Sequence, residues 1–336
     1  MNASFLNCLP LNSQRLNSQR LTCQRYRFGL IEMACLISVA LGGYAVAQQA
    51  PNASGTRVHM IVTVEPRKGS EVPVVTREDV MVYEGKNRDQ VTEWIPAQGD
   101  HAGLEFYVLI DDASSSALDT QLSDIKKFIA GLPPNAQVGV AYMQNGTARI
   151  EQKLTIDHDL AAKSLRLALG YIGADASPYF ALSDLAKHWQ PDGNRHEALM
   201  ITSGADPYYG SGDADDPYLS AAIEDCQRAG VLVSAIYAPG AGHFGHSYWT
   251  NYWGQIYLSK LTEETGGEGY YIGFSGPAPD FSPYLTDAAN RLEHQYLLTF
   301  VARPQKKSGV RPVKLRTELH NVDLVSANEV YVPASE

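Results

Sequence analysis

The sequence predicts an α/β protein in which a doubly wound mixed sheet is joined to a small flanking β module. Three observations support this fold class. Strand-like and helix-like runs alternate over residues 104–295, a hairpin signal at Asn145-Gly146 interrupts that alternation, and only strand-like runs occur on either side, at 58–96 and 296–332. Alternating strands and helices are typical of a sheet covered by helices on both faces, and one hairpin makes such a sheet mixed.

The N-terminal β module spans residues 48–103 and begins with a short flexible lead-in. Its apolar runs are separated by Gly, Lys, Asn and Asp, a pattern typical of antiparallel strands. Strands are expected at 58–64, 72–75, 80–83 and 91–95. The C-terminal segment, residues 296–336, has the same character, with strand-like runs at 296–301, 313–319 and 330–332. Because neither segment is large enough to be stable alone, we expect them to pair with each other.

The central region, residues 104–295, carries the alternation. Strands are expected at 106–110, 138–143, 148–152, 198–202, 231–237 and 269–273. Apolar residues spaced three or four apart predict five helices, whose faces are Leu118, Leu122, Ile125 and Ile129; Leu182, Leu185, Ala186 and Trp189; Leu219, Ala222, Ile223 and Cys226; Tyr257, Leu258 and Leu261; and Tyr284, Leu285, Ala288 and Leu292. Asp216 and Pro217 suit the start of the third helix, and Gly230 ends it.

The N-terminal extension, residues 1–47, has the features of a secretory signal peptide. An apolar run at 28–47 follows Arg20, Arg25 and Arg27 and ends in a small-residue site, Ala45-Val46-Ala47. The alternative is an uncleaved membrane anchor, because about 20 apolar residues can span a bilayer. We therefore expect a periplasmic or secreted protein, with the membrane as a partner only if this segment is retained.

The net charge and the cysteine content limit the partners and the disulfides that we expect. The formal net charge is −10, and removal of residues 1–47 would take away four arginines and one glutamate. Such an acidic chain repels phosphate backbones, so no nucleic-acid partner is expected. Three of the four cysteines lie in that extension, which would leave Cys226 alone and exclude an internal disulfide. Its helical spacing predicts a buried structural thiol.

Carboxylates and hydroxyls directly follow the first strand of the central region. Asp111 and Asp112 come after five apolar residues, and three serines follow. Polar oxygens at the carboxyl end of a buried strand lie where open α/β sheets place ligand sites. The spacing Asp112-x-Ser114-x-Ser116 offers a divalent cation one charged and two neutral oxygens. If Asp111 instead ends the strand, the motif loses one hydroxyl, because Ala113 then stands in its second position.

Three motifs, taken in their order along the chain, resemble those of a known family. They are Glu78-Asp-Val-Met-Val-Tyr-Glu84, the strand and loop at 106–116, and Leu261-Thr-Glu-Glu-Thr-Gly-Gly267 with the strand after it. Together they resemble the von Willebrand factor A domain and, within it, the secreted, acidobacterial-type bacterial proteins called VWFA-related. The resemblance covers residues 58–333 and implies a Rossmann-like, doubly wound sheet.

The resemblance also implies a bound Mg²⁺ or Mn²⁺ ion, held by a D-x-S-x-S loop, a Thr in a second loop and an Asp in a third. Octahedral Mg²⁺ requires six oxygens, and an open position accepts a partner's carboxylate. The candidate metal ligands in this chain are Asp111, Asp112, Ser114, Ser116, Ser177 and Asp206. The match is incomplete, because Ser177 replaces the Thr and Ser203 stands where the Asp is expected. Asp206 could compensate only through a bent loop or a water.

Two further loops are expected beside this cluster. Residues 206–218 concentrate four carboxylates around two glycines, which makes Ca²⁺ conceivable, although EF-hand spacing is absent; a solvated loop is the other interpretation. Residues 238–253 are rich in Gly and aromatic residues, which supply contact area for partners or stack on sugars, unless the loop packs on itself. The candidate partner-binding residues of the two loops are Tyr208, Tyr209, His246, Tyr248, Trp249 and Trp253.

The function predicted from these features is an exported, non-enzymatic adhesion or interaction module that binds a protein ligand. No G-x-S-x-G elbow, H-E-x-x-H helix or phosphate-binding loop occurs in the sequence, so no enzyme is expected. The alternative is an envelope protein that binds or hydrolyses carbohydrate through the loop at 238–253. A purely structural envelope component is a third hypothesis.

Overall fold

A computed structural model describes residues 55–69, 71–113, 116–170, 176–190, 192–206, 215–238, 248–271 and 280–335. The predicted signal segment lies outside these residues. Within them, no helix is both long and apolar enough to cross a membrane.

The described strands and helices are numbered separately, each in chain order. The strands are β1 (Thr56–Pro66), β2 (Val80–Glu84), β3 (Asn87–Pro96), β4 (Leu104–Asp111), β5 (Gln137–Gln144), β6 (Thr147–Thr155), β7 (Arg195–Thr202), β8 (Val231–Tyr237), β9 (Gly269–Tyr271), β10 (Gln295–Ala302), β11 (Gly309–Pro312), β12 (Lys314–Thr317), β13 (Val322–Val325) and β14 (Glu329–Val332). The α-helices are α1 (Leu122–Gly131), α2 (His158–Ser164), α3 (Pro178–His188), α4 (Pro217–Ala229), α5 (Tyr248–Thr265) and α6 (Ser282–Glu293).

The central sheet has the strand order β6-β5-β4-β7-β8-β9. All neighbouring pairs are parallel except β5 and β6, which form an antiparallel hairpin. The hairpin turn is made by Asn145 and Gly146, both with positive φ, as a tight two-residue turn requires. The predicted fold class, a doubly wound mixed sheet, is confirmed. The order reverses between β4 and β7, the topological switch point where such sheets bind ligands.

Strand β4 lies at the centre of this sheet and is buried on both faces. Phe106, Val108 and Ile110 pack on one side with α1 and α6, whereas Tyr107 and Leu109 pack on the other with α3, α4 and α5. This alternation follows from the two-residue period of a strand. It fixes the register of β4, and therefore the position at which its polar end leaves the core.

The terminal segments form a second, antiparallel sheet with the order β12-β2-β3-β10-β1-β13, next to a two-stranded pair, β11 and β14. Strand β1 pairs with both β10 and β13, and β2 pairs with β12, so the N-terminal and C-terminal segments share one sheet. The expected strand at 72–75 is wrong, because these residues belong to neither a strand nor a helix. Helix α2 was not expected from the sequence.

The two glycines that end the motif at 261–267, Gly266 and Gly267, are required by close packing after α5. Gly266 has φ +85°, and a Cβ there would lie 2.4 Å from the backbone nitrogen of Ala327. A Cβ on Gly267 would lie 2.0 Å from the carbonyl oxygen of Val233 in β8. Side chains at these positions would collide with backbone, so the two glycines let the end of α5 approach both β8 and the C-terminal segment.

The carboxyl group of Asp89 in β3 gives the protein a pH-dependent stability. Burial, and then the nearby carboxylate of Glu84, raise the pKa of Asp89 to about 6. The folded state therefore holds this proton more tightly than the unfolded state, whose value is about 3.9. The resulting stabilisation is complete below about pH 4 and is lost as the pH rises through about 6.

We therefore expect Asp89→Asn to flatten the decline in unfolding free energy between about pH 4 and 6. Urea titrations at closely spaced pH values measure this. Asp79→Asn is the control, because hydrogen bonds from Thr76 lower the pKa of Asp79 and move its effect below pH 4. Equal slopes for wild type and Asp89→Asn in that window would contradict the expectation.

Candidate functional site

The candidate site lies where β4, β7 and β8 end, which we call the carboxyl edge. Asp111 is the last residue of β4, and Thr202 is the last residue of β7, the neighbouring strand across the switch point. The Thr202 hydroxyl donates a hydrogen bond of 2.9 Å to Oδ2 of Asp111. The backbone N–H of Ala113 donates to Oδ1 of Asp111 at 3.0 Å. Asp111 thus ties the two strands together at the point where a ligand would sit.

The end of β4 at Asp111 selects between the two registers of the aspartate–serine motif. Counted from Asp111, the second position is Ala113, so one hydroxyl of the expected ligand set is missing. Ser114 lies outside the described residues. Ser116 begins a 3-10 helix, Ser116–Gln121, and its side chain is likewise not described.

Asp112 turns into the protein and is 1% exposed. Arg166 binds its carboxylate in a bidentate manner, with Nη1 2.7 Å from Oδ1 and Nη2 3.0 Å from Oδ2. The backbone N–H of Leu169 donates to Oδ1 and the side-chain amide of Gln144 donates to Oδ2, each at 2.9 Å. A carboxylate has about four lone-pair positions, and these four donors fill them. The prediction that Asp112 is a metal ligand therefore disagrees with the structure.

The Arg166 guanidinium is itself held in place. It lies 3.8 Å from the ring centroid of Tyr142, and the Tyr142 hydroxyl donates to the Arg166 carbonyl at 2.7 Å. The hydrogen bonds from Arg166 to Asp112 raise the pKa of the guanidinium above its usual value, so the charge is permanent. The Arg166 guanidinium thus neutralises the Asp112 carboxylate, which was predicted from the sequence to bind a metal.

The described residues at this edge do not fit an octahedral Mg²⁺ or Mn²⁺ site. Asp112 is fully occupied, Ala113 lacks an oxygen donor, and Ser203 carries no charge. Asp111 is the remaining carboxylate of the predicted motif, and both of its oxygens already accept hydrogen bonds. A divalent cation needs several oxygens that can be brought to about 2.0–2.1 Å, and its charge would also be repelled by the nearby guanidinium.

The other two predicted oxygen donors, Ser177 and Asp206, lie beside the starts of α3 and α4. Ser177 is the N-cap of α3, where its Oγ accepts a hydrogen bond of 3.3 Å from the backbone N–H of Tyr179, and it is almost fully buried. Asp206 is buried near the start of α4. Burial raises the pKa of the N-cap residue Asp216, and the charge of Asp206 adds to that increase. Ser177 therefore has a structural role that needs no metal.

The predicted aromatic loop at 238–253 is wrong in its second part, because helix α5 begins at Tyr248. Tyr208, Tyr209 and His246 lie outside the described residues, and the side chain of Tyr248 is likewise not described. Trp249 is 61% exposed, whereas Trp253 is partly buried against the core. Tyr252 belongs to the predicted aromatic loop but not to the candidate partner-binding residues, and it is 41% exposed one helical turn beyond Trp249.

These aromatic rings form a continuous contact series from the surface into the core. Trp249 meets Tyr252 edge-on at 6.2 Å, and Tyr252 meets Trp253 at 5.8 Å. Trp253 contacts Tyr257 at 5.8 Å, and Tyr257 contacts Tyr179 at 6.3 Å. Three of these four pairs are edge-to-face, a geometry in which rings at such separations attract one another beyond their burial. The exposed pair is thus supported by packed aromatic residues.

Two glycines bring the start of α5 against the loop that follows β7. A Cβ on Gly254 would lie 2.2 Å from the carbonyl oxygen of Ser203, and one on Gly204 would lie 2.6 Å from the carbonyl oxygen of Gly254. The Tyr179 hydroxyl donates to the Gly204 carbonyl at 2.7 Å from the other side. The aromatic series and the loop after β7 are therefore parts of one packed edge.

Comparisons with known proteins give weak likenesses to solved structures. BatB from Bacteroides thetaiotaomicron is 17% identical, with a TM-score of 0.36, over 56% of this chain and 97% of that one. An aerotolerance-related membrane protein from Bacteroides fragilis is 16% identical, with a TM-score of 0.41, over 56% and 98%. A von Willebrand factor type A protein from Catenulispora acidiphila is 12% identical, with a TM-score of 0.38, over 85% and 76%.

No protein-family model and no curated protein matches the chain. The TM-scores above lie below 0.5, and the strand order of the sheet, rather than these likenesses, establishes the fold.

Proposed function

We propose that this chain is an exported, non-enzymatic interaction module of the VWFA-related kind, which binds a protein partner through the carboxyl edge of its central sheet. The observation that carries the proposal is the exposed pair Trp249 and Tyr252. It lies on the first turns of α5, the helix that follows β8, and is supported by rings that reach the core.

Exposed, well-supported aromatic residues are the usual anchors of protein interfaces. Trp and Tyr are enriched among the few residues that dominate binding energy. They offer large contact areas with few rotatable bonds, and rings already packed in the free protein lose little conformational freedom on binding. Trp249 and Tyr252 have these large rings, and both rings are already packed in the free protein, because each is in contact with the next ring.

In this proposal the partner binds without a divalent cation. A metal-dependent module uses the ion's open position to take a partner carboxylate, and Asp112 would have to help hold that ion. In this chain Arg166 already pairs with Asp112 and satisfies its charge. Binding energy is assigned instead to apolar aromatic contact, which is insensitive to chelators.

Trp249→Ala is expected to weaken partner binding by about 30-fold or more, which corresponds to loss of an anchor worth about 2 kcal/mol. The tagged chain is used to capture partners from an envelope extract, these are identified by mass spectrometry, and the purified partner is titrated. Ile156→Ala is the matched control, because Ile156 is also exposed but follows β6 at the opposite end of the sheet.

Three outcomes of this experiment would contradict or change the proposal. Equal affinity of Trp249→Ala and wild type for the purified partner would overturn the aromatic interface. Loss of wild-type binding in EDTA that is reversed by Mg²⁺ or Mn²⁺ alone would overturn the metal-independent form and indicate Mg²⁺ or Mn²⁺ at the carboxyl edge. Binding to a glycan array that is lost in Trp249→Ala would favour the carbohydrate alternative, since exposed Trp also stacks on sugars.

A further inference from the structure

A second group of polar residues lies at the opposite end of the central sheet, which we call the amino edge. It consists of Glu105 at the start of β4, His196 at the start of β7 and Asp192 in the loop before β7. The strands place Glu105 directly beside His196. One side-chain donor atom from each of the three residues lies within 4.8 Å of the other two. None of the three belongs to the carboxyl edge.

The spacing of these atoms suits a small divalent ion. Nε2 of His196 lies 3.3 Å from Oδ1 of Asp192 and 3.7 Å from Oε2 of Glu105. Tetrahedral Zn²⁺ has bonds of about 2.0–2.2 Å to nitrogen and carboxylate oxygen, which places neighbouring ligand atoms about 3.3–3.6 Å apart. Small adjustments of the Glu105 side chain would bring all three atoms to bonding distance.

Each of the three side chains is oriented by a second partner. Nδ1 of His196 faces the Ala229 carbonyl at 3.4 Å. The indole N–H of Trp189 donates to Oε2 of Glu105, and the backbone N–H of Asn194 donates to Oδ1 of Asp192 at 2.9 Å. Metal-binding histidines characteristically donate their other ring N–H to a carbonyl, and ligating carboxylates are themselves hydrogen-bonded. The group therefore has the outer partners of a metal site.

The tautomer of His196 decides what its Nε2 atom can bind. When Nδ1 donates to Ala229, the lone pair of Nε2 points toward two carboxylate oxygens, an arrangement that is repulsive unless a proton or a cation lies between them. The His196 ring is stacked on Trp189, with centroids 5.1 Å apart and an interplanar angle of 19°, so it cannot turn away freely.

The site has a route to solvent. Asp192 is the most exposed of the three side chains, at 36%. His196 and Asn194 line a pocket of about 220 Å³ between the central sheet and the β module. A metal ion needs an entry path, and an ion with three protein ligands keeps a fourth position for water.

We propose that Glu105, Asp192 and His196 bind a divalent transition-metal ion, with Zn²⁺ as the best match to one nitrogen and two carboxylate ligands. The ion joins the start of β4, the loop before β7 and the start of β7, and so stabilises the amino edge of the sheet. It is separate from the Mg²⁺ or Mn²⁺ ion that the family resemblance implies at the opposite edge.

The test is a calorimetric titration of the metal-stripped full chain with ZnCl₂, together with thermal unfolding and the visible spectrum of Co²⁺ as a substitute ion. The wild type is expected to bind one equivalent, to unfold at a higher temperature with Zn²⁺, and to give the intense absorption of tetrahedral Co²⁺. Asp192→Asn, a change on a partly exposed loop, is expected to abolish this binding. Asn194→Ala keeps every ligand but removes the hydrogen bond that the Asn194 side-chain amide donates to Oδ2 of Asp192, and it is expected to weaken binding about 10–100-fold.

Asp111→Asn is the matched control at the carboxyl edge and is expected to bind Zn²⁺ as the wild type does. The proposal is overturned if the wild type gives no Zn²⁺ or Co²⁺ signal, in which case the three residues form only a hydrogen-bonded cluster. It is equally overturned if Asp192→Asn binds Zn²⁺ as the wild type does, whether or not Asp111→Asn binds it.

Discussion

Arg166→Ala is expected to lower the free energy of unfolding by about 3–5 kcal/mol, the usual cost of removing one partner from a buried ion pair. The reason is that the variant leaves Asp112 charged and buried, with Gln144 and the Leu169 backbone N–H as its remaining donors. Two neutral hydrogen bonds cannot replace a bidentate guanidinium. Equilibrium unfolding in urea at pH 7 measures the loss.

Arg228→Ala is the matched control for this change. Arg228 also forms an ion pair with a carboxylate, Glu224 at 2.6 Å, but both side chains are more than half exposed. Exposed pairs of this kind contribute about 0.3–0.5 kcal/mol. If the two variants lose similar amounts of stability, Asp112 is not buried as the structure has it, and the pairing with Arg166 is not the main support of the loop after β4.

Urea unfolding of the wild type with and without Mg²⁺ tests for a cation site at the carboxyl edge. Millimolar Mg²⁺ is expected to leave the urea midpoint of the wild type unchanged, because the described residues offer it no set of free oxygens. A ligand that binds only the folded state stabilises it by RT ln(1 + [L]/Kd) and so raises the midpoint. A clear rise for the wild type would therefore show that a cation site exists despite Arg166.

The sequence predicts the fold well because the relevant signals are local. The positive φ values at Asn145 and Gly146 and the helix start at Asp216 and Pro217 depend on neighbours a few residues away. The buried strand at 104–111 is equally visible as an apolar run. Such short-range preferences agree with the final fold, as expected for a sequence whose local choices support its global structure.

The candidate site was harder to predict because its interactions join distant parts of the chain. Asp112 and Arg166 are 54 positions apart, and no local pattern pairs them. The assignment of Asp112 as a ligand depended on a register that differs by one residue, and in a strand one residue exchanges the two faces. The amino-edge residues did leave a signal, since Glu105 and Arg195-His196-Glu197 place charges inside otherwise apolar strands.

Gly254→Ala is expected to destabilise the protein by about 1–3 kcal/mol, the cost of inserting a methyl group into a filled space. Alanine is better than glycine in a helix by about 0.8–1.0 kcal/mol, so propensity alone predicts the opposite sign. The decisive observation is the separation of 2.2 Å between a Cβ at this position and the carbonyl oxygen of Ser203. Backbone cannot move aside as a flexible side chain can, so the steric term exceeds the propensity term.

Gly131→Ala separates these two terms, because a Cβ at Gly131, the last residue of α1, meets no atom within 4 Å. This variant is expected to gain about 0.4–1 kcal/mol from the reduced freedom of the unfolded chain. Urea unfolding of both variants measures the opposite changes in stability expected for them, and titration with the captured partner measures their affinity for it. Since Gly254 positions the start of α5 against the loop after β7, Gly254→Ala should weaken partner binding, whereas Gly131→Ala should not. A stabilised Gly254→Ala with unchanged affinity would show that this contact neither limits stability nor positions Trp249.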